Sequence, residues 1–432
     1  MIQQALFLLL LLSAITFFSK NSKKIVRNIR LGRPENRSDF PAERFKIMLK
    51  VAFGQTKMAA RPIPALLHFF VYAGFIIINI EIIEIIIDGI FGTHRIFAKP
   101  LGSFYTFLIA AFEWLALSII LACAIFLIRR NVIRIKRFFG VEMTAWPRSD
   151  ANYILYFEII LMSAFLLMNA ADYRLTQLTY GEALSSAAFP VSSVIASHLP
   201  ESTSSLYLAE RFFWWLHITG IFIFLNYLPY SKHLHILMAF PNTYYSSLTP
   251  KSELNNMPSV TNEVKAMLDP GFVPEPGSTG SFGARDVTDL SWKSLMDAYT
   301  CTECGRCTSE CPANITGKLL SPRKIMMDTR DRLTEFGRNL DMRGSEYNDG
   351  KNLLDDYITR EEIWACTTCQ ACLKACPVNI DPMAIIIDLR RYIVMEESKA
   401  PSSINNMFNN IENNAAPWKY SASDRLNWAK NS

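Results

Sequence analysis

Eight of the nine cysteines fall in two short runs. The first reads CTECGRCTSECP, with Cys301, Cys304, Cys307 and Cys311 ahead of Pro312. The second reads CTTCQACLKACP, with Cys366, Cys369, Cys372 and Cys376 ahead of Pro377. Both have the C-x2-C-x2-C-x3-C-P spacing of cubane iron–sulfur centres. Three thiolates separated by two residues each wrap one cube in a tight turn. The fourth starts a helix pointing elsewhere and, in two-cluster proteins, ligates the other cluster. The spacing therefore assigns Cys301, Cys304, Cys307 and Cys376 to one [4Fe–4S] cluster, and Cys366, Cys369, Cys372 and Cys311 to a second. A zinc ribbon wants two pairs of ligands around one tetrahedral ion, not four cysteines per run followed by proline. Cys123 stands apart in an apolar stretch and reads as a small buried hydrophobe.

The histidines are the second set of candidate ligands. His68 and His235 each lie near one end of an apolar segment, and His217 and His235 are 18 residues apart. That is five turns at about 3.6 residues per turn, so both face one way if the helix continues past Pro229. Their axial separation of about 27 Å is close to a bilayer thickness, so the two suit two sites, one near each surface. His68 matches the depth of His235, and a bis-histidine haem b between them follows as a hypothesis. His233 is expected to point away. His217 has no histidine opposite it, since Phe75 and Asn79 occupy the face of His68. It ligates a second haem, contacts a quinone or bonds within the bundle. His94 and His198 read as solvated loop residues. Glu81, Glu84, Glu113 and Glu158 fall in or near apolar segments, where carboxylates are functional candidates by default.

These ligands must be positioned by elements that the composition describes well. Of 432 residues, 50% are hydrophobic and only 19% charged, against about a quarter charged in a soluble protein. Five segments reach the roughly 20 apolar residues that a membrane helix needs: Met1–Ser19, Pro62–Ile87, Tyr105–Ile128, Tyr153–Ala171 and Phe212–Tyr230. Residues 20–61 hold twelve Lys or Arg and residues 129–150 hold six, whereas the other two loops hold two each. The positive-inside rule then puts the N-terminus outside and everything after Tyr230 in the cytoplasm of an inner (cytoplasmic) membrane protein. Met1–Ser19 reads as an uncleaved anchor, because its lysines follow the apolar run. Disulfides are disfavoured in that reducing compartment. A net charge of +5 without a basic stripe excludes nucleic acid as a partner.

Beyond the spans, residues 241–286 read as a linker, with a Pro- and Gly-rich stretch at Asp269–Ala284. Residues 287–400 read as helical, with apolar spacing at Leu290–Tyr299, Ile325–Phe336 and Met383–Val394. Residues 401–432 contain eight Asn and little to bury, and read as a tail ordered against a partner. The expected fold is mainly α: a five-helix transmembrane bundle (1–240), then a cytoplasmic two-cluster domain.

Two stretches carry a family resemblance: RPIPALLHFFVYAGF (Arg61–Phe75) and FFWWLHITGIFIFLNYLPYSKHLHI (Phe212–Ile236). They resemble the five-helix cytochrome b fold of the respiratory nitrate reductase gamma subunit, and more closely the membrane domain of heterodisulfide-reductase-like iron–sulfur oxidoreductases. The paired cysteine runs, with 54 residues between Cys311 and Cys366, are similar to the helical dicluster ferredoxin domain of that group. PWKYSASDRLNW (Pro417–Trp428) resembles the segment that precedes its catalytic module. The resemblance implies that His68, His217 and His235 match haem-ligand positions. The nitrate reductase subunit has two histidines on its second helix, where this chain has only His68. The group also carries CCG repeats that hold a catalytic cluster, and no Cys-Cys pair occurs in these 432 residues.

The resulting expectation is a membrane-anchored electron-transfer subunit. It links a quinone pool, haem b, two [4Fe–4S] clusters and a separate cytoplasmic CCG-type subunit docked on the ferredoxin domain and tail. Membrane lipid is its surrounding partner. No phosphate loop, dinucleotide fingerprint or nucleophile with its base is found. The alternative is an iron–sulfur redox sensor or regulatory anchor without haem.

Overall fold

A computed structural model describes residues 1–180, 187–250, 253–273 and 282–430. Most of the Pro- and Gly-rich stretch, 274–281, lies outside the described residues. Among the described residues all the regular structure is helical, with only two isolated bridges, Arg33–Ser291 and Leu354–Ile358, in place of strands.

Five helices are long and apolar enough to cross a membrane. They are α1 (Ile2–Ile29), α2 (Pro62–Phe91), α3 (Ser103–Leu127), α4 (Ala145–Tyr180) and α5 (Thr203–Tyr227). Local chemistry marks the ends of two of them. α2 opens with Pro62 and Pro64 in its first turn, where a proline loses no hydrogen bond. It closes on Gly92 with a left-handed φ of 72°. The Ser202 hydroxyl caps α5 through the amide of Ser205.

The bundle is built around α4, which packs against both α3 and α5. In its most apolar window 61% of residues are buried, compared with 11% for α1. Ile78, Ile109, Phe112, Leu161, Phe165 and Phe224 form the central core. The outer faces stay apolar as well, with Phe69, Ile83, Phe107, Trp114 and Leu121 exposed. Helices that are hydrophobic all round belong in lipid.

α1 runs well past its apolar stretch, and its polar end reaches the iron–sulfur domain. Lys24 and Arg27 pair with Asp341, and Asn28 donates to the Tyr299 hydroxyl at 2.9 Å. α5 does not continue to His235. It stops at Tyr227, because Pro229 cannot extend it. A tight turn at Leu228–Tyr230 follows, and α6 (His235–Tyr244) starts anew. The five-turn register between His217 and His235 therefore does not describe their alignment.

The second half is organised by α7 (Trp292–Thr300), α8 (Pro322–Arg343) and α9 (Pro382–Met395). They share a core of Leu290, Leu295, Ile325, Leu333, Ile363, Ile385 and Leu389. Within 241–286, Pro258–Leu268 is helical and Ala284 is fully buried. Gly283, at φ 79°, lies so close to α9 that a Cβ there would fall 2.3 Å from the Asp388 carbonyl oxygen. In the tail, α10 (Ser402–Asn414) buries none of its residues.

Candidate functional site

The two cysteine runs fold into near-identical loops. In the first, Glu303 and Gly305 have φ of 53° and 69°; in the second, the equivalent Thr368 and Gln370 have φ of 54° and 58°. A left-handed residue at the same two places in each run curls the backbone so that successive cysteines converge. At Gly305 the Arg323 guanidinium passes over the loop, 2.6 Å from where a Cβ would lie. Cys311 and Cys376 each precede the proline that ends the wrap.

The thiols of the two runs lie within each other's field, mostly inside the two expected sets, although Cys307 also feels Cys372 of the other set. Cys307 feels Cys301, Cys304, Cys376 and Cys372, and Cys376 feels Cys304. Cys366 feels Cys311 and Cys369, and Cys372 feels Cys366 and Cys311. Burial pushes the Cys301 thiol up to about 12 and Cys376 up to about 11. Such groups give up their protons to a metal rather than to water. Among the described residues no three Cys, His, Asp or Glu converge closely enough to hold one ion. Backbone amides also reach sulfur: Thr368 N–H to Cys366 Sγ at 3.4 Å and Ile380 N–H to Cys376 Sγ at 3.3 Å.

The histidines lie beneath the first loop. The rings of His68 and His235 are 6.3 Å apart, centre to centre, and tilted by 44°. Two imidazoles on opposite sides of one metal ion, each with a metal–nitrogen bond of about 2.0–2.1 Å, have ring centres roughly 6 Å apart. Each Nδ1 is already engaged: His68 with Gln55 Oε1 at 3.0 Å and His235 with the Lys232 carbonyl at 3.1 Å. With Nδ1–H donated in this way, the lone pair lies on Nε2, as in metal-ligating histidines. Burial holds the His235 imidazole below its ordinary value, and so keeps it neutral. His233 does not point away, as the register expectation had it. Its ring is 5.5 Å from that of His235 and lines the same cavity. The helix break at Pro229 is the reason.

His217 is fully buried on α5, apart from this pair. Its Nδ1 donates to the Leu161 carbonyl at 2.9 Å, its ring packs on Phe165, and its Nε2 has no partner. His198 is exposed, and His94 pairs with Asp172 at 3.3 Å. Of the four carboxylates, Glu84 bonds the Tyr105 hydroxyl and the Phe97 amide, and Glu113 takes Asn169 and the amides of Val191 and Ser192. Glu81 keeps one oxygen unpartnered, and Glu158 lines the cavity. Cys123 is fully buried.

That cavity, of about 350 Å³, joins the two halves of the molecule. Its wall runs from Tyr72, Cys123 and Glu158 in the bundle, past His68 and His235, to Thr302, Cys304 and Arg306 of the first cluster loop. Its flanks hold Arg129, Arg130 and Arg137, which sequence reasoning saw only as loop charge.

Besides the Asp341 pairs at the end of α1, two buried ion-pair systems join the halves, and neither was legible in the sequence. Arg323, 1% exposed, holds Glu142 at 2.7 Å and the Arg137 carbonyl at 2.6 Å. Glu303 of the cluster loop takes both Lys232 and Arg330. Burial pushes the Glu142 carboxyl up, but the Ser321 hydroxyl and Arg323 outweigh it and hold it below its ordinary value.

A five-helix apolar bundle carrying a helical iron–sulfur domain is the class these features define. Residues 300–380 match the family model described as the 4Fe-4S dicluster domain. The chain is 30% identical to the probable iron–sulfur-binding oxidoreductase FadF of Bacillus subtilis, over 98% of this chain and 60% of that protein. It is 26% identical to the EtfAB:quinone oxidoreductase of Syntrophomonas wolfei, over 91% of this chain and 55% of that protein. It is 32% identical to a subunit of the ferredoxin/F420H2-dependent CoB–CoM heterodisulfide reductase of Methanosarcina acetivorans, over 24% of this chain and 52% of that protein. The chain's homologues are thus iron–sulfur oxidoreductases with a 4Fe-4S dicluster domain, and it spans a little over half the length of the first two. No solved structure matches.

Proposed function

We propose that this chain is a membrane-anchored electron-transfer subunit. It connects a quinone pool, a haem b on His68 and His235, two [4Fe–4S] clusters and a cytoplasmic CCG-type catalytic subunit. When bound, these groups supply one-electron chemistry that no side chain here offers. The chain's own task is to hold them close together, keep water out and set their potentials.

The observation that carries the reading is the shared cavity. His68, His235 and Cys304 line one space, so a cofactor held by the imidazoles sits beside the first cluster loop. A short segment also bridges the two. Gln55 orients His68, and Lys57, two residues on, donates from Nζ to the carbonyls of Leu373 and Cys376 at 3.2 and 3.1 Å. The arginines of the cavity wall offer cations to acidic groups on such a cofactor.

In this reading Cys301, Cys304, Cys307 and Cys376 hold the inner cluster. Cys311, Cys366, Cys369 and Cys372 hold the outer one. Cys369 is exposed, whereas Cys301 and Cys376 are buried, which favours the outer set as the exit toward a partner. The exposed α10 and the tail beyond it extend that docking surface. His217 is the second cofactor contact, since a buried imidazole nitrogen without a partner is costly to leave empty. Its Nε2 suits iron or the hydroxyl of a quinol. The units are a bundle (1–240), a connector (241–286), a cluster domain (287–400) and a docking tail (401–432). The loop charges favour the N-terminus outside and the cluster domain in the cytoplasm.

Reduced-minus-oxidised spectra of the purified chain, with iron and zinc analysis, test this. A b-type band together with quinol-dependent reduction of the clusters is expected. Absence of the band would favour the haem-free sensor, and zinc in the thiolates would overturn both readings.

A further inference from the structure

A second cleft, of about 420 Å³, opens where α3 ends and α4 begins. Its walls are Arg130, Asn131, Arg134, Phe138, Phe139 and Arg148. Three guanidiniums thus share one space whose lining contains no carboxylate. Among the described residues none of the three forms an ion pair. Arg130 donates to Asn152 Oδ1 and to the Arg148 carbonyl, both at 3.1 Å, and Arg148 donates to the Met143 carbonyl at 3.3 Å. Arg134 donates to the Asn131 carbonyl at 3.5 Å.

A guanidinium has five N–H donors, so each keeps several for another acceptor. Aromatic faces steady two of them: Arg130 lies 4.8 Å from the centre of the Phe138 ring, and Arg148 lies 4.9 Å from that of Phe139. The carboxylates whose field reaches Arg130 are Asp150 and Glu303, and both are committed elsewhere. Asp150 accepts from Tyr227, Ser231 and the Lys232 amide, and Glu303 accepts from Lys232 and Arg330. Like charges gathered without a counter-ion repel one another. The arrangement calls for an anion, and forked donors match a phosphate group.

The surroundings say which phosphate. Phe139 of the lining is exposed, as are Val132, Ile133, Val141 and Trp146, each within two residues of a lining residue in the chain, Val141 to 99%. Apolar and aromatic residues at the end of a membrane helix lie at headgroup depth, and basic pockets there recruit anionic lipid. We propose that this cleft binds the phosphate of an anionic phospholipid head group, with Arg130, Arg134 and Arg148 as its donors. Arg130 also lines the histidine cavity, so the bound lipid seals the seam between bundle and iron–sulfur domain.

The test uses the full chain in neutral detergent, with native mass spectrometry and thermal shift as readouts. The probes are phosphatidylglycerol, phosphatidylcholine and inorganic phosphate. Selective retention of phosphatidylglycerol is expected, weakened roughly tenfold or more in an R134Q/R148Q variant. Inorganic phosphate should neither stabilise the protein nor displace the lipid. Equal retention of the two lipids by the wild type, undiminished binding by the variant, or saturation by phosphate alone would each overturn the proposal. If the variant fails to fold, the contrast between the two lipids on the wild-type chain decides.

Discussion

Lys57 and Cys376 are joined by a hydrogen bond of 3.1 Å from the Lys57 ammonium to the Cys376 carbonyl. One residue precedes the second membrane span, and the other ends the last cysteine run. That contact ties the loop orienting His68 to a proposed cluster ligand, and it places a cation beside a buried thiol. A Lys57→Met substitution removes the cation while keeping the stem. The inner cluster should then be harder to reduce, because charge and hydrogen bonds near the sulfurs set its potential. An EPR-monitored redox titration should show a lower midpoint for that cluster and an unchanged one for the other.

His68→Ala and His235→Ala should each abolish the b-type band, since either removes one of the two imidazoles that would hold the proposed haem. His233→Ala should retain it, although its ring stands 5.5 Å from that of His235. A Gln55→Leu variant frees the His68 Nδ1 and should shift the haem potential without loss of haem. Optical redox titration measures all four.

The crossed ligation of the clusters has a signature in paired substitutions. Cys301→Ser with Cys376→Ser strikes one proposed cluster, so the double variant should lose no more iron than either single one. Cys301→Ser with Cys311→Ser strikes both, and iron should fall from about eight per chain toward zero. Uncrossed ligation would reverse the two results.

The Glu142–Arg323 pair should make domain docking sensitive to acid. Partners hold the folded Glu142 pKa below its ordinary 4.5. A depressed carboxylate stabilises the folded state above the unfolded pKa, and that contribution is lost as pH falls through the folded one. Proteolysis at the seam should therefore increase below about pH 4.5. Glu142→Gln leaves Arg323 buried without its counter-charge and should cost about 3–5 kcal/mol of stability at pH 7. A flat pH response in that variant would confirm the origin.

Much of this protein is legible in its sequence, for reasons that are local. A span announces itself because lipid demands an unbroken apolar stretch, and all five do so here. The cluster loops announce themselves because three ligands come from one turn, and the left-handed Glu303, Gly305, Thr368 and Gln370 realise that turn twice. His68 and His235 were selected by type and depth alone.

What the sequence left open depends on contacts between segments far apart in the chain. The helix break after Tyr227 brings His233 toward His235, which no periodicity argument anticipates. Gln55, Lys57, Glu142 and Arg323 look like ordinary surface polar residues until the iron–sulfur domain settles on the bundle. The chain by itself determined which chemistry is present, because thiolate spacing and apolar length are properties of short segments. Tertiary structure alone decided where that chemistry meets, because buried pairs such as Arg323 with Glu142 form only when two folded surfaces exclude the water between them.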